Sequence, residues 1–144
     1  MIYFIRKFQE EDLLDVLNIA NESLTENYIP ELFLDIHRIW PEGFLVAVAR
    51  DVVGFIAGIK QRTGARILLL AVRSGFRNRG IGSALMKRFI TICKSEGMLS
   101  VRLEVRTKNL RAIEFYKKFG FNIISYVPNY YTNGDDAYIM WREI

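Results

Sequence analysis

Arg77, Asn78 and Arg79 run into Gly80, Ile81, Gly82 and Ser83, a stretch whose residue types suit an anion. An apolar run, residues 67–72, precedes it, and an amphipathic one, residues 84–96, follows it. The loop therefore opens a helix, whose first backbone N–H groups lack internal partners and whose dipole favours negative charge. Glycines at 80 and 82 remove Cβ atoms that would hold a phosphate away, and they allow unusual φ/ψ. Two guanidiniums add forked donors. The chemistry this predicts is binding of a diphosphate-type ligand at residues 77–83, although by composition the stretch also reads as a turn with solvated charges. Leu85 stands where a dinucleotide-binding loop would need its third glycine, and no Gly-Lys-Ser/Thr ending marks a P-loop.

Glu104 is the next candidate. In the segment 100–106, Val101, Leu103 and Val105 share one face of a strand, and Arg102, Glu104 and Arg106 share the other. A strand covered on both faces would be apolar throughout, so the charged face is expected to border a groove. Glu104 reads equally as a base or amine-binding carboxylate and as an ion-pair partner of Arg102 or Arg106. Asn109, Ala112, Phe115 and Tyr116 follow as N-x-x-A-x-x-F-Y. By themselves, Asn109 reads as a helix N-cap and Tyr116 as a core aromatic with a bonded hydroxyl. Cys93 is the single cysteine and His37 the single histidine, so disulfide frameworks, Cys/His zinc sites and triads that need a His near the nucleophile are all but excluded. Cys93 is expected as a buried thiol and His37 on a helix surface.

The elements that must position these groups follow from periodicity. Residues 2–8 alternate as a first strand, and residues 10–24 place Leu13, Leu14, Leu17, Ala20 and Leu24 at helical spacing. After a turn through Thr25 to Tyr28, Pro30 suits a helix start, and that helix runs to Ile39, ending at residues 40–43. Strands are expected at 44–49 and 52–60, joined tightly as a hairpin by Arg50 and Asp51; Gly54 and Gly58 read equally as marks of a bulge or close backbone approach and as plainly tolerated glycines. A strand at 66–72, a helix at 84–96, the strand 100–106 and a helix at 109–119 closed by Gly120 come next. The last strands are 122–127 and 137–143, joined by the Tyr-rich loop 128–136. At 144 residues with no linker or repeat, this is one domain, a mixed α/β sheet with helices on both faces.

Half of the residues are hydrophobic and the net charge is +4, a globular composition suited to an anionic small ligand or acidic surface rather than to nucleic acid by default. No run approaches the ~20 apolar residues of a membrane span, and the N-terminus lacks a signal-peptide core, so a cytoplasmic protein without membrane contact is expected.

Three motifs in order, Arg77 through Gly80 to Gly82 (R-x-x-G-x-G), Leu103-Glu104-Val105-Arg106, and Asn109 through Tyr116 to Gly120-Phe121, resemble the GNAT acetyltransferase superfamily over essentially the whole chain. Glu26-Asn27-Tyr28 and the segment 128–138 further resemble the protein N-terminal α-amine acetyltransferases: the archaeal and eukaryotic catalytic subunits and the bacterial ribosomal-protein alanine acetyltransferase. The resemblance implies a single GNAT domain over residues 1–144, with a mostly antiparallel sheet containing a splayed parallel strand pair. It implies acetyl-CoA as cosubstrate and no metal. Residues 77–83 would hold the pyrophosphate, Leu70, Ala71 and Val72 would present backbone to the pantetheine and acetyl group, and Asn109 would touch the CoA chain. Tyr116 would stand by the sulfur and protonate the leaving thiolate. Glu104 would be the base, with Glu26 a second candidate. Glu26, Tyr28, Ile29, Glu104, Tyr130 and Tyr131 would line the peptide site. The activity implied is direct acetyl transfer to a protein or peptide N-terminus, with an auxiliary or ribosome-associated subunit as a further partner. The alternatives are a GNAT acting on a small amine or an internal lysine, and a non-catalytic CoA-binding module.

Overall fold

The computed structural model describes residues 1–24 and 26–144; Thr25, placed by the sequence in the turn between the first two helices, lies outside the described residues. Its elements are β1 (Phe4–Lys7), α1 (Leu13–Ser23), α2 (Pro30–Ile39), β2 (Phe44–Ala49), β3 (Asp51–Lys60), β4 (Gly64–Val72), α3 (Ile81–Ser95), β5 (Ser100–Arg106), α4 (Leu110–Lys118), β6 (Asn122–Val127) and β7 (Ala137–Glu143). Single 3₁₀ turns at Glu10–Asp12 and Pro41–Gly43 lead into α1 and β2. The order and kind of elements agree with the sequence expectation. The main difference is at α3, which begins at Ile81 rather than Ala84 because Gly80, with φ 82°, turns the chain into the helix at once.

The seven strands form one sheet in the order β1-β2-β3-β4-β5-β7-β6. All neighbouring pairs are antiparallel except β4 and β5, which pair in parallel from Gly64 opposite Ser100 to Ile67 opposite Leu103 and no further. Beyond Ile67 the two strands part, and β4 continues to Val72 without a partner on that side. This is the splay that the GNAT resemblance implied, and it opens a cleft in the sheet.

Each sheet face carries its own core. On one, α1 and α2 bury Val16, Ile19, Phe33 and Ile36 against Phe44, Phe55 and Leu69. On the other, α3 and α4 bury Leu85, Phe89 and Ile113 against Ile56, Leu103 and Met140. At roughly 25 cal/mol per Å² of apolar surface, each fully buried Phe or Leu contributes about 2 kcal/mol. Gly58 shows how closely α3 sits: a Cβ there would come within 2.7 Å of the Phe89 ring. The sequence expectation of a bulge or close approach at Gly54 and Gly58 is met by both, with register shifts at Ala47/Val48 and Ala57/Gly58. Cys93 is buried on α3, and burial pushes its thiol up to about 12. His37 is half-buried, with its ring edge-on to Phe8.

Candidate functional site

The cleft left by the parting of β4 and β5 is a cavity of about 410 Å³. Its floor is Leu70, Ala71 and Val72, its end wall is the α3 entrance from Asn78 through Ser83, and its far side is Asn109, Ala112, Phe115 and Tyr116 of α4. All of the sequence-predicted cofactor residues line it except Arg79, whose guanidinium lies over the Phe76 ring instead. Gly80 adopts a left-handed conformation, and a Cβ there would meet nothing within 4 Å. Gly82 has no such backbone need, so the conformational argument applies to Gly80 alone.

The entrance is braced rather than loose. Arg77 donates from Nε to the Val72 carbonyl at 2.9 Å and from its terminal nitrogen to Ser23 Oγ at 3.0 Å, which ties the loop to β4 and α1. Arg111 of α4 donates to Asn78 Oδ1 across the cavity rim. Ser23, Leu24, Phe76 and Arg111 also line the cavity; the sequence marked none of these four as a site residue, though Arg111 is the second residue of the helix that Asn109 opens. Asn109 is the N-cap of α4, with its side-chain oxygen accepting from the Ala112 N–H at 3.1 Å, and it lines the cavity as well.

Tyr116 reaches the cavity from α4. Burial, with a smaller contribution from Tyr131, raises its phenol well above the usual tyrosine range. The hydroxyl accordingly stays protonated at neutral pH and remains a donor.

Glu104 lies on the groove side of β5, with its carboxylate almost fully buried. Oε1 accepts from Arg66 Nε at 2.7 Å and lies 2.6 Å from the same guanidinium's terminal nitrogen in the ion pair; Oε2 accepts from Arg102 Nε at 3.1 Å. The ion pair with Arg102 was one of the two sequence readings, and Arg66 is a partner that the sequence did not point to. The parallel register sets Arg66 opposite Arg102, a juxtaposition that no local spacing encodes. A carboxylate offers about four acceptor positions; the Arg66 guanidinium crowds Oε1, and Oε2, with one hydrogen bond from Arg102, has room for one more donor. Arg66 also donates to the Tyr130 hydroxyl at 2.9 Å, linking Glu104 to the β6–β7 loop.

Arg106 pairs elsewhere. It donates to Glu26 Oε1 at 3.2 Å and to Asp135 Oδ2 at 3.1 Å, and its guanidinium stacks 3.8 Å from the Tyr131 ring centroid. Thr132 donates its hydroxyl to Glu26 Oε2 at 2.6 Å and its N–H to Oε1 at 3.3 Å. Glu26 thus clasps the α1–α2 connection to the β6–β7 loop. The Thr132 hydroxyl, with help from its N–H and from Arg106, holds the carboxyl below its ordinary pKa. Tyr131 is driven up to about 12 by burial, and Tyr28 is raised by burial and by the Glu26 charge. The Tyr28 N–H donates to Asn21 Oδ1 at 2.9 Å, while Ile29 stands exposed just ahead of α2.

The predicted residues therefore fall into two adjoining groups: the cavity set ending at Tyr116, and a groove set joining Glu26, Tyr130, Tyr131 and Glu104 through Arg66 and Arg106. Tyr28 and Ile29 stand beside the Glu26 clasp, outside its hydrogen bonds. Among the described residues no group of His, Cys, Asp and Glu is placed to hold a metal ion, and no helix is long and apolar enough to cross a membrane.

Residues 13–121 match the model of the acetyltransferase (GNAT) family. The crystal structure of Ard1 from Thermoplasma volcanium superposes with a TM-score of 0.97 at 53% identity, covering 100% of this chain and 99% of that one. An N-alpha-acetyltransferase of Sulfurisphaera tokodaii is 32% identical over 152 residues, covering 96% of this chain and 91% of its own. Naa50 of Arabidopsis thaliana, solved with the bisubstrate analogue CoA-Ac-MVNAL, superposes with a TM-score of 0.89 at 28% identity, with 100% of both chains covered.

Proposed function

The chain belongs to the acetyltransferase (GNAT) family, and we propose that it transfers the acetyl group of acetyl-CoA to the N-terminal α-amine of a protein or peptide. The observation that carries this reading is the adjacency of two compartments at Tyr131, which lies near enough to feel both Tyr116 and Glu104. One is a narrow cleft ending in a helix start; the other is a groove walled by tyrosines. The relatives named above as N-alpha-acetyltransferase and as Naa50 with a CoA-peptide analogue support it.

The cleft fits acetyl-CoA. Backbone N–H groups from Gly80 to Ser83 are suited to the pyrophosphate, Arg111 and Asn78 stand at the rim, and the unpaired edge of Leu70 to Val72 offers backbone to the pantetheine amides. The thioester brings an activated acyl group. The chain's task is to deprotonate the amine and stabilise the departing sulfur. An α-ammonium has a pKa of about 8, so a nearby carboxylate can assist its deprotonation at neutral pH. Glu104, with one acceptor position left, suits a water that relays this proton. Glu26 has its oxygens committed to Thr132 and Arg106 and is held below its ordinary pKa, which leaves it poorly placed to take a proton. Tyr116, kept protonated by burial, donates to the sulfur as negative charge develops there. Tyr130 and Tyr131 offer hydroxyls to the peptide backbone, and Tyr28 and Ile29 stand beside the groove mouth. This chemistry takes place in the cytoplasm, where acetyl-CoA and nascent or ribosomal proteins meet.

The test offers acetyl-CoA together with short peptides, free or N-blocked, lysine side chains and polyamines, and follows CoA release. Release that requires a free α-amine is expected; transfer to lysine or polyamine alone would replace this reading with that of an amine or lysine acetyltransferase.

A further inference from the structure

The net charge of +4 conceals a separation. Residues 1–51 hold ten of the sixteen acids and four of the twenty Lys and Arg; the rest of the chain holds six acids against sixteen cations. The first segment supplies α1 and α2 on one sheet face, and the second supplies α3 and α4 on the other. On that second face lies a shallow groove between the outer side of α3, the end of α4 and β7. It is lined by Lys87, Thr91 and Lys94 on one side and by Lys118, Gly120 and Arg142 on the other, with no acid in its lining.

Two features mark it as more than a solvated helix face. Among the described residues none of its four cations is in an ion pair, although Arg66, Arg102, Arg106 and Lys108 at the active groove are all paired. The nearest acid along α4, Glu114, lies one turn before Lys118 and makes no ion pair either. Arg142 is half-buried, and its Cδ and Nε would lie 3.4 Å from a Cβ at position 120. Glycine at 120, already needed for φ 86°, leaves room for the Arg142 side chain beside it. A half-buried arginine with no carboxylate partner among the described residues is an arrangement that calls for an anion from outside.

Lys87 and Lys94 lie seven residues apart on one helix stripe, about 10 Å at 1.5 Å per residue, so they reach two separate charges of an extended polyanion rather than a single phosphate. Phe119, the aromatic in the lining, packs on Phe115 with ring centroids 5.1 Å apart, so no free platform invites unstacked bases. Thr91 donates its hydroxyl proton to the Lys87 carbonyl at 2.9 Å, leaving its oxygen as an acceptor between the two lysines. That acceptor suits a ribose 2′-hydroxyl, which deoxyribose lacks.

We propose that this groove binds the sugar-phosphate backbone of double-stranded RNA, without reading its sequence. The inference does not depend on the acetyl acceptor. It departs from the expectation drawn from net charge because the acids that dilute that charge sit across the sheet.

The test measures fluorescence anisotropy of a mixed-sequence RNA duplex of about 20 base pairs with the full chain, in saturating CoA so that the α3 entrance is occupied. Binding at 50 mM KCl is expected, weakening with salt at a slope of about −3 to −4 in log–log form for four phosphates neutralised. Lys87→Glu combined with Lys94→Glu, and separately Lys118→Glu, should weaken it at least tenfold while leaving peptide acetylation and the melting temperature unchanged. Absence of binding at 50 mM KCl, or equal binding by the charge-reversed variants, would overturn the site. A DNA duplex bound as tightly would overturn the assignment to RNA. Displacement by polyglutamate at equal charge concentration would assign the groove to an acidic protein instead.

Discussion

At the residue scale the two carboxylates differ in what they are free to do. Glu104 is buried between two guanidiniums with one acceptor position open, whereas Glu26 spends both oxygens on Thr132 and Arg106. Glu104→Gln is therefore expected to lower kcat by roughly 10²-fold or more, the usual scale for a lost general base, with a smaller effect on KM. Tyr116→Phe should behave alike; steady-state kinetics with a free-amine peptide check both. Wild-type turnover in the Glu104→Gln protein would pass the base to Glu26 or to water. For Glu26 the sign follows from its depressed pKa. The clasp contributes above the ordinary unfolded value of about 4.3 and is lost as pH falls through the lower folded value. The Thr132 amide resonance, followed by NMR from pH 6 to pH 3, should move with a midpoint below that of an ordinary glutamate. Thr132→Val should bring the Glu26 midpoint back towards it.

At the element scale, stability depends on where backbone meets side chain. Gly58→Ala would drive a methyl into the Phe89 ring at 2.7 Å and should cost about 1–3 kcal/mol by overpacking, read as a lowered midpoint in urea. Asn109→Ala removes the α4 cap and should cost about 1 kcal/mol in the same measurement. The elements themselves were legible in the sequence because the periods are strong: Ser100–Arg106 alternates cleanly, and Gly120 ends α4 where a left-handed residue is needed. The charged face of β5 was legible for the same reason. Arg66 was not, because its link to Glu104 runs across a parallel pair formed by segments 38 residues apart, and strand periodicity carries no register between distant strands. The Thr132–Glu26 clasp spans 106 residues and two loops, where side-chain direction follows from tertiary packing alone. The engagement of Arg77 with Val72 and Ser23 was equally hidden: composition suggests a free phosphate ligand, while the fold makes this arginine a brace.

At the scale of the whole molecule, one sheet holds two cores, so the helices on its two faces are expected to melt together. CoA at about 100 times its Kd should add about 2.7 kcal/mol, moving Tm upward by several degrees in a calorimetric scan, and still as one transition. The strand order also sets a sequence of assembly. β7 lies between β5 and β6, although β6 precedes it in the chain, so β6 has no neighbour in the sheet until residues 137–143 have entered. During synthesis, β4, α3, β5 and α4 can come together around the cofactor cleft while β6 and the loop after it still lack an anchor. The cleft proposed for acetyl-CoA is thus complete before the groove proposed for the acceptor. A nascent chain released short of β7 would retain the first and lack the second, a potential sink for cofactor with nowhere to send the acetyl group.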